Sequence, residues 1–408
     1  MAIIGAGCTS APPHPSAPPG TGTRPVTVSS TPPSLPARSL PSPGCTTATA
    51  PSSDLTGVRT AMVPVRGAPF GVAVTPDGRW SFTAVPGGVD VLRDGASLAP
   101  TLARTIPTGG DPAGVTITRD GRYLLAASGS GAVVISVARA EQGAAGAVLG
   151  TLTAPGGGPL NRSAIEVAVS PDEQFAFVTL EYTDKAVVFN LGKALRAGFG
   201  PADYVGGIPL GQAAVGMAIS PDSRWLYATS EVGQRTTAQP VSASRGTLTV
   251  IDLRKAETAP ASSVVATVTA GCQPVRVITS ANGSQVWVTA RASDDLLCFS
   301  AARLASDPAH ALVAIVRVGE APVGLAAVRG GSLIVVADSN RFGASGATAS
   351  LDVVNVKAAL AGGQAVVGHI PSGAFPREMA LFPDGTLLVS NFGSGQLEAV
   401  DVPAIPAS

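Results

Sequence analysis

The sequence predicts an all-β fold, a seven-bladed β-propeller closed by an N-terminal strand that completes the last blade. Three observations lead there. One strand–turn–strand unit is written seven times, the copies recur at intervals of 43 to 60 residues, and the two chain ends hold complementary parts of a single blade. A repeat of this length with strand content is the mark of four-stranded blades set around an axis.

The unit is clearest at 215–229, VGMAISPDSRWLYAT. Val215, Met217 and Ile219 alternate before Pro221-Asp222-Ser223, and Trp225, Tyr227 and Thr229 alternate after it. Strict alternation gives a half-buried strand, and Pro-Asp-Ser or Pro-Asp-Gly between two such runs makes a tight turn. In chain order the copies begin at Pro69, Pro112, Ala164, Ala214, Pro274, Pro322 and Pro376. Third strands follow them at 87–92, 132–137, 186–191, 247–253, 295–300, 350–356 and 396–402. Fourth strands are readable at 102–109, 203–211, 264–271, 313–320 and 366–373, while the glycine-rich 143–150 reads as loop.

The seventh copy stops after its third strand, at Val402. An unclaimed strand of the fourth type, VRTAMVPVRG (58–67), precedes the first copy. Adding it to the last blade removes the open edge that a linear array would leave.

Composition limits the partners. Of 408 residues only 13% are charged, the formal net charge is zero, and Gly (48) and Pro (35) are abundant. Nothing here makes an electrostatic footprint for nucleic acid or an anionic membrane surface. Aromatics are 4%, so the core must be built from Val, Ala, Leu and Ile. A monomer is expected, and no cofactor is called for.

Residues 1–8 end in Ile3-Ile4-Gly5-Ala6-Gly7-Cys8, which resembles the close of a bacterial lipoprotein signal with Cys8 as the lipidated residue. The missing basic and apolar regions fit a start codon placed too late. Residues 9–53 are Pro, Ser, Thr, Ala and Gly with almost no charge, a tether composition. The propeller is assigned to 54–408, and membrane attachment is expected only through a lipid on Cys8, giving an extracytoplasmic protein. Cys272 and Cys298 fall near opposite ends of parallel strands, too far apart to bond, whereas Cys45 in the tether leaves a bond to Cys272 open.

The units SPDSRWLYATS, TLTVIDL and VVATVTAG, followed by an opening proline, are similar to the YVTN-type repeat of the lactonase-like seven-bladed propellers over residues 58–402. The resemblance implies either envelope proteins without a reaction or hydrolases of sugar lactones and related molecules. It implies His with Arg and Glu in metal-free lactonases, and a Glu, Asn and Asp set in metal-dependent ones.

In a propeller the first strand of each blade lines the channel, so the third position of each opening motif faces its mouth. That position is Gly71, Gly114, Glu166, Gly216, Arg276, Gly324 and Glu378, with Arg162 and Arg377 flanking two of the sites. Charges sharing such a cavity must pair with one another or serve a ligand. Long second-to-third-strand loops at 231–246 and 339–349 add Glu231, Arg235, Asn340, Arg341 and Phe342 to that face, and Asn391 ends the matching strand of the last blade. The ligand-binding candidates are therefore Arg162, Glu166, Arg276, Asn340, Arg341, Arg377, Glu378 and Asn391.

Catalytic residues are scarce. Of three histidines, His14 is in the tether and His310 in a connection, leaving His369 as the one candidate to approach the channel. No Cys/His zinc spacing, P-loop or GxSxG is present. This inventory favours a binding module for a protein, an envelope glycan or a small anionic ligand, with a lactonase-like hydrolase as the alternative.

Overall fold

The computed structural model describes residues 35–48, 50, 52–95, 97–156, 158, 160, 162–233, 244–343 and 349–406. Seven separate four-stranded antiparallel sheets form the seven blades. Their first strands are Val72–Val74, Val115–Ile117, Ala164–Val169, Gln212–Ile219, Pro274–Thr279, Pro322–Val328 and Pro376–Leu381, and these pack side by side in a closed ring. Blade 7 takes its fourth strand from the N-terminal side: Thr60–Pro64 pairs antiparallel with Gln396–Asp401, Thr60 opposite Val400 and Pro64 opposite Gln396.

The turn chemistry explains the first hairpin of blades 1 to 4, and in blade 5 Ser280 and Asn282 take the same places. The hydroxyl at the head of the turn donates to the carboxylate two residues on, as in Ser170–Asp172 (2.6 Å) and Ser220–Asp222 (2.5 Å). The same hydroxyl accepts the amide five residues on, from Phe175 (2.9 Å) and Trp225 (2.9 Å). The turn also needs one left-handed residue, supplied without strain by Gly78, Gly121 and Gly283, whereas Glu173 and Ser223 hold φ 60° there.

The core is not one body but seven seams. Val, Ala and Leu from adjacent blades interdigitate, as where Trp287 and Leu296 of blade 5 meet Ile334 and Val336 of blade 6. Between blades 7 and 1, Val63 of the closing strand packs with Leu397, Leu388 and Val72.

Five short helices were not foreseen. α1 (Val137–Gln142), α2 (Leu191–Ala197), α3 (Leu253–Ala256), α4 (Ala301–Ser306) and α5 (Val356–Ala361) join third strands to fourth. Each starts at a residue whose side chain caps the helix: Ser136, Asn190, Asp252, Ser300 and Asn355. The reading of 143–150 as loop without a neighbouring helix is corrected accordingly. α1 follows the third strand of blade 2, and Val148–Thr153 is that blade's fourth strand.

Residues 35–48, 50 and 52–53, expected to be tether, lie with Asp54 and Leu55 as a strap along blades 5 and 6. Leu40 and Ala50 donate backbone bonds to Leu312 (2.9 Å) and Val318 (3.1 Å), and Leu35, Leu40 and Leu55 pack against the blade seams. Arg303 holds the carbonyl of Ala37 at 2.9 Å. Cys45 is bonded to Cys272, with Cα atoms 5.3 Å apart, and Cys298 is a free, buried thiol. Apolar side chains spaced through a Pro-rich stretch were enough to dock it, although no run of them was long enough to read as an element. Cys8 and the rest of 1–34 lie outside the described residues.

Candidate functional site at the channel mouth

Five of the blades break register just where the third position falls, for example between Ala164 and Glu166 and between Pro274 and Val277. Such a bulge turns the extra side chain out of the ladder and toward the channel. A hydroxyl on the second strand then fixes it. Thr179 accepts the Glu166 amide (3.2 Å), Thr289 the Arg276 amide (3.1 Å) and Ser390 the Glu378 amide (3.0 Å). Two of these hydroxyls also reach the next blade, Thr289 donating to the Val323 carbonyl (2.7 Å) and Ser390 to that of Phe70 (2.6 Å).

The ring alternates because neighbouring blades crowd here. A Cβ on Gly216 would collide with the Val275 carbonyl, and one on Gly324 with that of Arg377. A side chain therefore needs a glycine blade beside it: Arg276 reaches Glu166 across Gly216 and Glu378 across Gly324, while Gly71 and Gly114 lie between Glu378 and Glu166. Gly324→Ala is expected to cost about 1–3 kcal/mol, the penalty of forcing atoms into a packed interior, as checked by thermal melting.

Arg276 is the centre of an ion triad. Its Nε lies 2.6 Å from Glu378 Oε1 and 3.4 Å from Glu166 Oε2, and its Nη1 donates to the Val215 carbonyl at 3.1 Å. Burial opposes its charge, but Glu378 and Glu166 outweigh that and hold the guanidinium protonated. Glu166 fares differently. Burial pushes its carboxyl up to about 8, with Arg276 pulling it back and Glu378 pushing it further.

The sign of the pH effect follows. Glu166 titrates near 4.5 when unperturbed, so the folded state keeps a proton that the unfolded state has lost. Its stabilising contribution is full below the unfolded value and is lost as pH rises through about 8. Melting temperature should fall between about pH 5 and 8.5, and Glu166→Gln should flatten that fall.

Arg377 has no such partner. Among the described residues no carboxylate lies within ion-pair distance of it, and its Nε is buried without a hydrogen-bond acceptor. It stacks instead on rings, 3.8 Å from the centroid of Phe70, 5.0 Å from Phe375 and 5.4 Å from Phe392. Burial, reinforced by Arg276, draws its guanidinium down to about 9.

A second tier lies above. Arg291 Nη2 is 2.8 Å from Glu231 Oε2 and also donates to Gln273 Oε1 (3.0 Å). Arg341 rests over Phe342 (5.2 Å) and Phe375 (5.1 Å), its charge disfavoured by burial and by Arg291. Glu181 completes the tier, its carboxyl pushed up by burial and by Glu231.

The structure thus brings together Glu166, Arg276, Arg341, Arg377 and Glu378, but not all the predicted candidates. Arg162 is exposed, on a separate cavity with Gly110, Ser128 and Thr153. Asn340 turns its loop with φ 48°. Asn391 is buried in its blade, donating to Glu398 (2.9 Å) and accepting from Ser372 (3.2 Å), so it contributes nothing to a metal set with Glu166 or Glu378. His369 is corrected as well. It sits on an outer strand, 2.6 Å from both Ser52 and Asp54, and fastens the strap rather than approaching the channel. Among the described residues no group of His, Cys, Asp and Glu is arranged to hold a metal. Arg235 lies outside the described residues.

Glu181 and Arg291 were missed, yet a signal existed. Thr179, Thr229 and Thr289 are equivalent, and two residues beyond them stand Glu181, Glu231 and Arg291. The position before the third one was equally readable. It holds Phe70, Ala113, Ile165, Val215, Val275 and Val323 in six blades and Arg377 in the seventh. Ile165, Val215, Val275, Val323 and Phe375 pack as an apolar collar under the mouth. Arg377 is the one charge in that ring position.

A family model described as lactonase, 7-bladed beta-propeller, matches residues 89–341, more than half of the chain. The chain belongs to that family. Among solved structures this lactonase-family propeller is similar to hydrazine synthase of Kuenenia stuttgartiensis, with TM-score 0.63 and 14% identity over 86% of this chain and 99% of that one. That likeness is one of fold alone. No curated relative matches the sequence.

Proposed function

We propose that this lactonase-family propeller binds a small organic anion at its channel mouth, with the anion seated on Arg377. The observation that carries the reading is the unpartnered, ring-stacked guanidinium. Six blades place an apolar residue there, and a partly buried cation without a carboxylate is costly unless a ligand supplies the charge. The rings of Phe70, Phe375 and Phe392 would cover the apolar side of such a ligand. A sugar acid fits both the anion and the family.

The test is calorimetric titration with an aldonate such as gluconate. Arg377→Gln should weaken binding by about 10- to 100-fold, the loss of one charge-assisted contact, with little change in melting temperature. Equal affinity in both proteins would remove Arg377 from the site.

A second reading is hydrolysis of the corresponding lactone. Family membership supports it coarsely, and Glu166 supports it chemically, because a carboxyl pushed up to about 8 keeps a proton to donate at neutral pH. Turnover of an aldonolactone that disappears in both Arg377→Gln and Glu166→Gln would favour hydrolysis over binding alone.

We also infer display outside the cytoplasm, held by a lipid on Cys8. The Cys45–Cys272 bond supports an oxidising compartment. Detergent partitioning of protein made from the gene with its upstream sequence, compared with Cys8→Ser, tests the anchor; equal release of both into the soluble fraction would overturn it.

A further inference from the structure

We propose that residues 41–48 of the strap form a redox-fastened wall of the compartment leading to the channel mouth, so that the Cys45–Cys272 bond regulates access to it. The functional consequence rests on the mouth being the ligand site; the opening of the wall does not.

A cavity of about 630 Å³ lies beside the mouth. The strap lines it with Cys45, Thr47 and Ala48, and the blades with Gln273, Arg291, Asp294, Glu320 and Phe342. Arg291 and Phe342 belong to the second tier of the mouth, so the cavity opens onto the groups that a ligand would meet on its way to Arg377.

One covalent bond fastens this stretch to the blades. Leu40 and Leu55 pack against the blades, but Thr46, Thr47 and Ala48 between them are exposed and bury no apolar side chain. Among the contacts that hold this stretch beside the disulfide are single polar ones: Gly271 N–H to Ser42 Oγ (3.2 Å), Arg317 to the Thr46 carbonyl (3.2 Å), the Ala48 amide to Asp294 and, just beyond, Ala50 N–H to the Val318 carbonyl (3.1 Å). Cys272 is also next to Gln273, whose side-chain oxygen orients Arg291. Cutting the bond therefore loosens the strap wall at the point where it meets the rim.

The chemistry is ordinary thiol–disulfide exchange with a dithiol reductant. A thiolate of the reductant attacks one sulfur, and its second thiolate displaces the mixed disulfide. Two electrons and two protons pass to the protein, Cys45 and Cys272 become thiols, and the reductant leaves as a cyclic disulfide.

Phenylglyoxal, a small arginine reagent, reads the opening without any knowledge of the ligand. The full chain is treated oxidised, after dithiothreitol, and as Cys45→Ser, and modification of Arg291 is followed by peptide mass mapping. Arg291 should react roughly ten-fold faster in both unfastened forms, as when a covalent restraint is removed from a local opening, and reoxidation of the reduced protein should restore the slow rate. Arg276, sealed in its triad, serves as the internal reference and should not change. Equal Arg291 rates in all three forms, or parallel acceleration of Arg276, would overturn the proposal. Gluconate binding is measured separately with Arg377→Gln, so failure of the mouth reading and failure of the strap reading give different results.

Discussion

Arg276→Ala is expected to lower the stability of the propeller by about 3–5 kcal/mol, the cost of leaving buried charges without their partner. Arg276 side-chain exposure is 7%, and the carboxylates it would abandon, Glu166 and Glu378, are 16% and 15% exposed. The loss should also depend on pH. In the variant Glu166 loses the cation that most favours its ionisation while it still faces Glu378, with Arg377 the remaining cation near it, so the deficit should shrink as pH falls. The single carboxylate variants should not be equal. Glu378 holds Arg276 at 2.6 Å and Glu166 only at 3.4 Å, so Glu378→Gln should destabilise more than Glu166→Gln. At about pH 8.5, above the value to which Glu166 is pushed, Glu166→Gln should be neutral or stabilising. Chemical denaturation at pH 5, 7 and 8.5 separates these cases. A near-neutral Arg276→Ala at every pH would mean that the triad does not tie the blades.

Two roles then divide among charges that the sequence presents together. Third-position residues pair with one another across glycine blades, Arg276 between Glu378 and Glu166. Arg377, one residue earlier in its blade, is left over. A charge with its partners in place costs the fold little, whereas one without them is more readily understood as waiting for something. The ligand reading therefore moves from Arg276, where the repeat alignment alone would place it, to its neighbour on the last blade.

What the sequence made legible follows from how each feature is encoded. The blades were readable because a hairpin of alternating residues about a tight turn, Pro-Asp in four of the copies, is a local signal repeated seven times. Glu166, Arg276 and Glu378 were readable because the repeat registers them against glycine. The short helices were less visible, since each is a single turn or two written as a capping Ser, Asn or Asp before a few Ala and Leu residues. The strap was invisible for another reason. Leu35, Leu40 and Leu55 are spaced too widely to form a pattern, and what docks them is a surface assembled by blades 5 and 6, hundreds of residues later. The same holds for Asn391. Its place at the end of a second strand suggested the mouth, but the buried carboxylate of Glu398 on the adjacent strand draws it inward, a pairing that only the register reveals.

Removal of residues 1–66 should cost the protein its cooperative fold, whereas removal of 1–57 should leave a folded but weakened propeller. The difference between the two is the strand Thr60–Pro64. It supplies the fourth strand of blade 7, and without it the Gln396–Asp401 strand becomes an open edge. Such an edge presents unpaired amides and carbonyls to any passing strand, so aggregation should accompany the loss. The side chains add to it. Val63 is 1% exposed and fills the seam of blades 7 and 1 beside Leu397, Leu388 and Val72, so its removal leaves a cavity between the two ends of the ring. Both deletions remove the strap and its disulfide, so that loss cancels in the comparison. Val63→Asp in the full chain gives an independent measure. A buried carboxylate without a partner at that seam should lower the melting temperature by many degrees. Circular dichroism melts and light scattering of the three proteins check the argument. Coincident melts for the 1–57 and 1–66 deletions, together with a tolerated Val63→Asp, would show that the ring holds without its N-terminal strand.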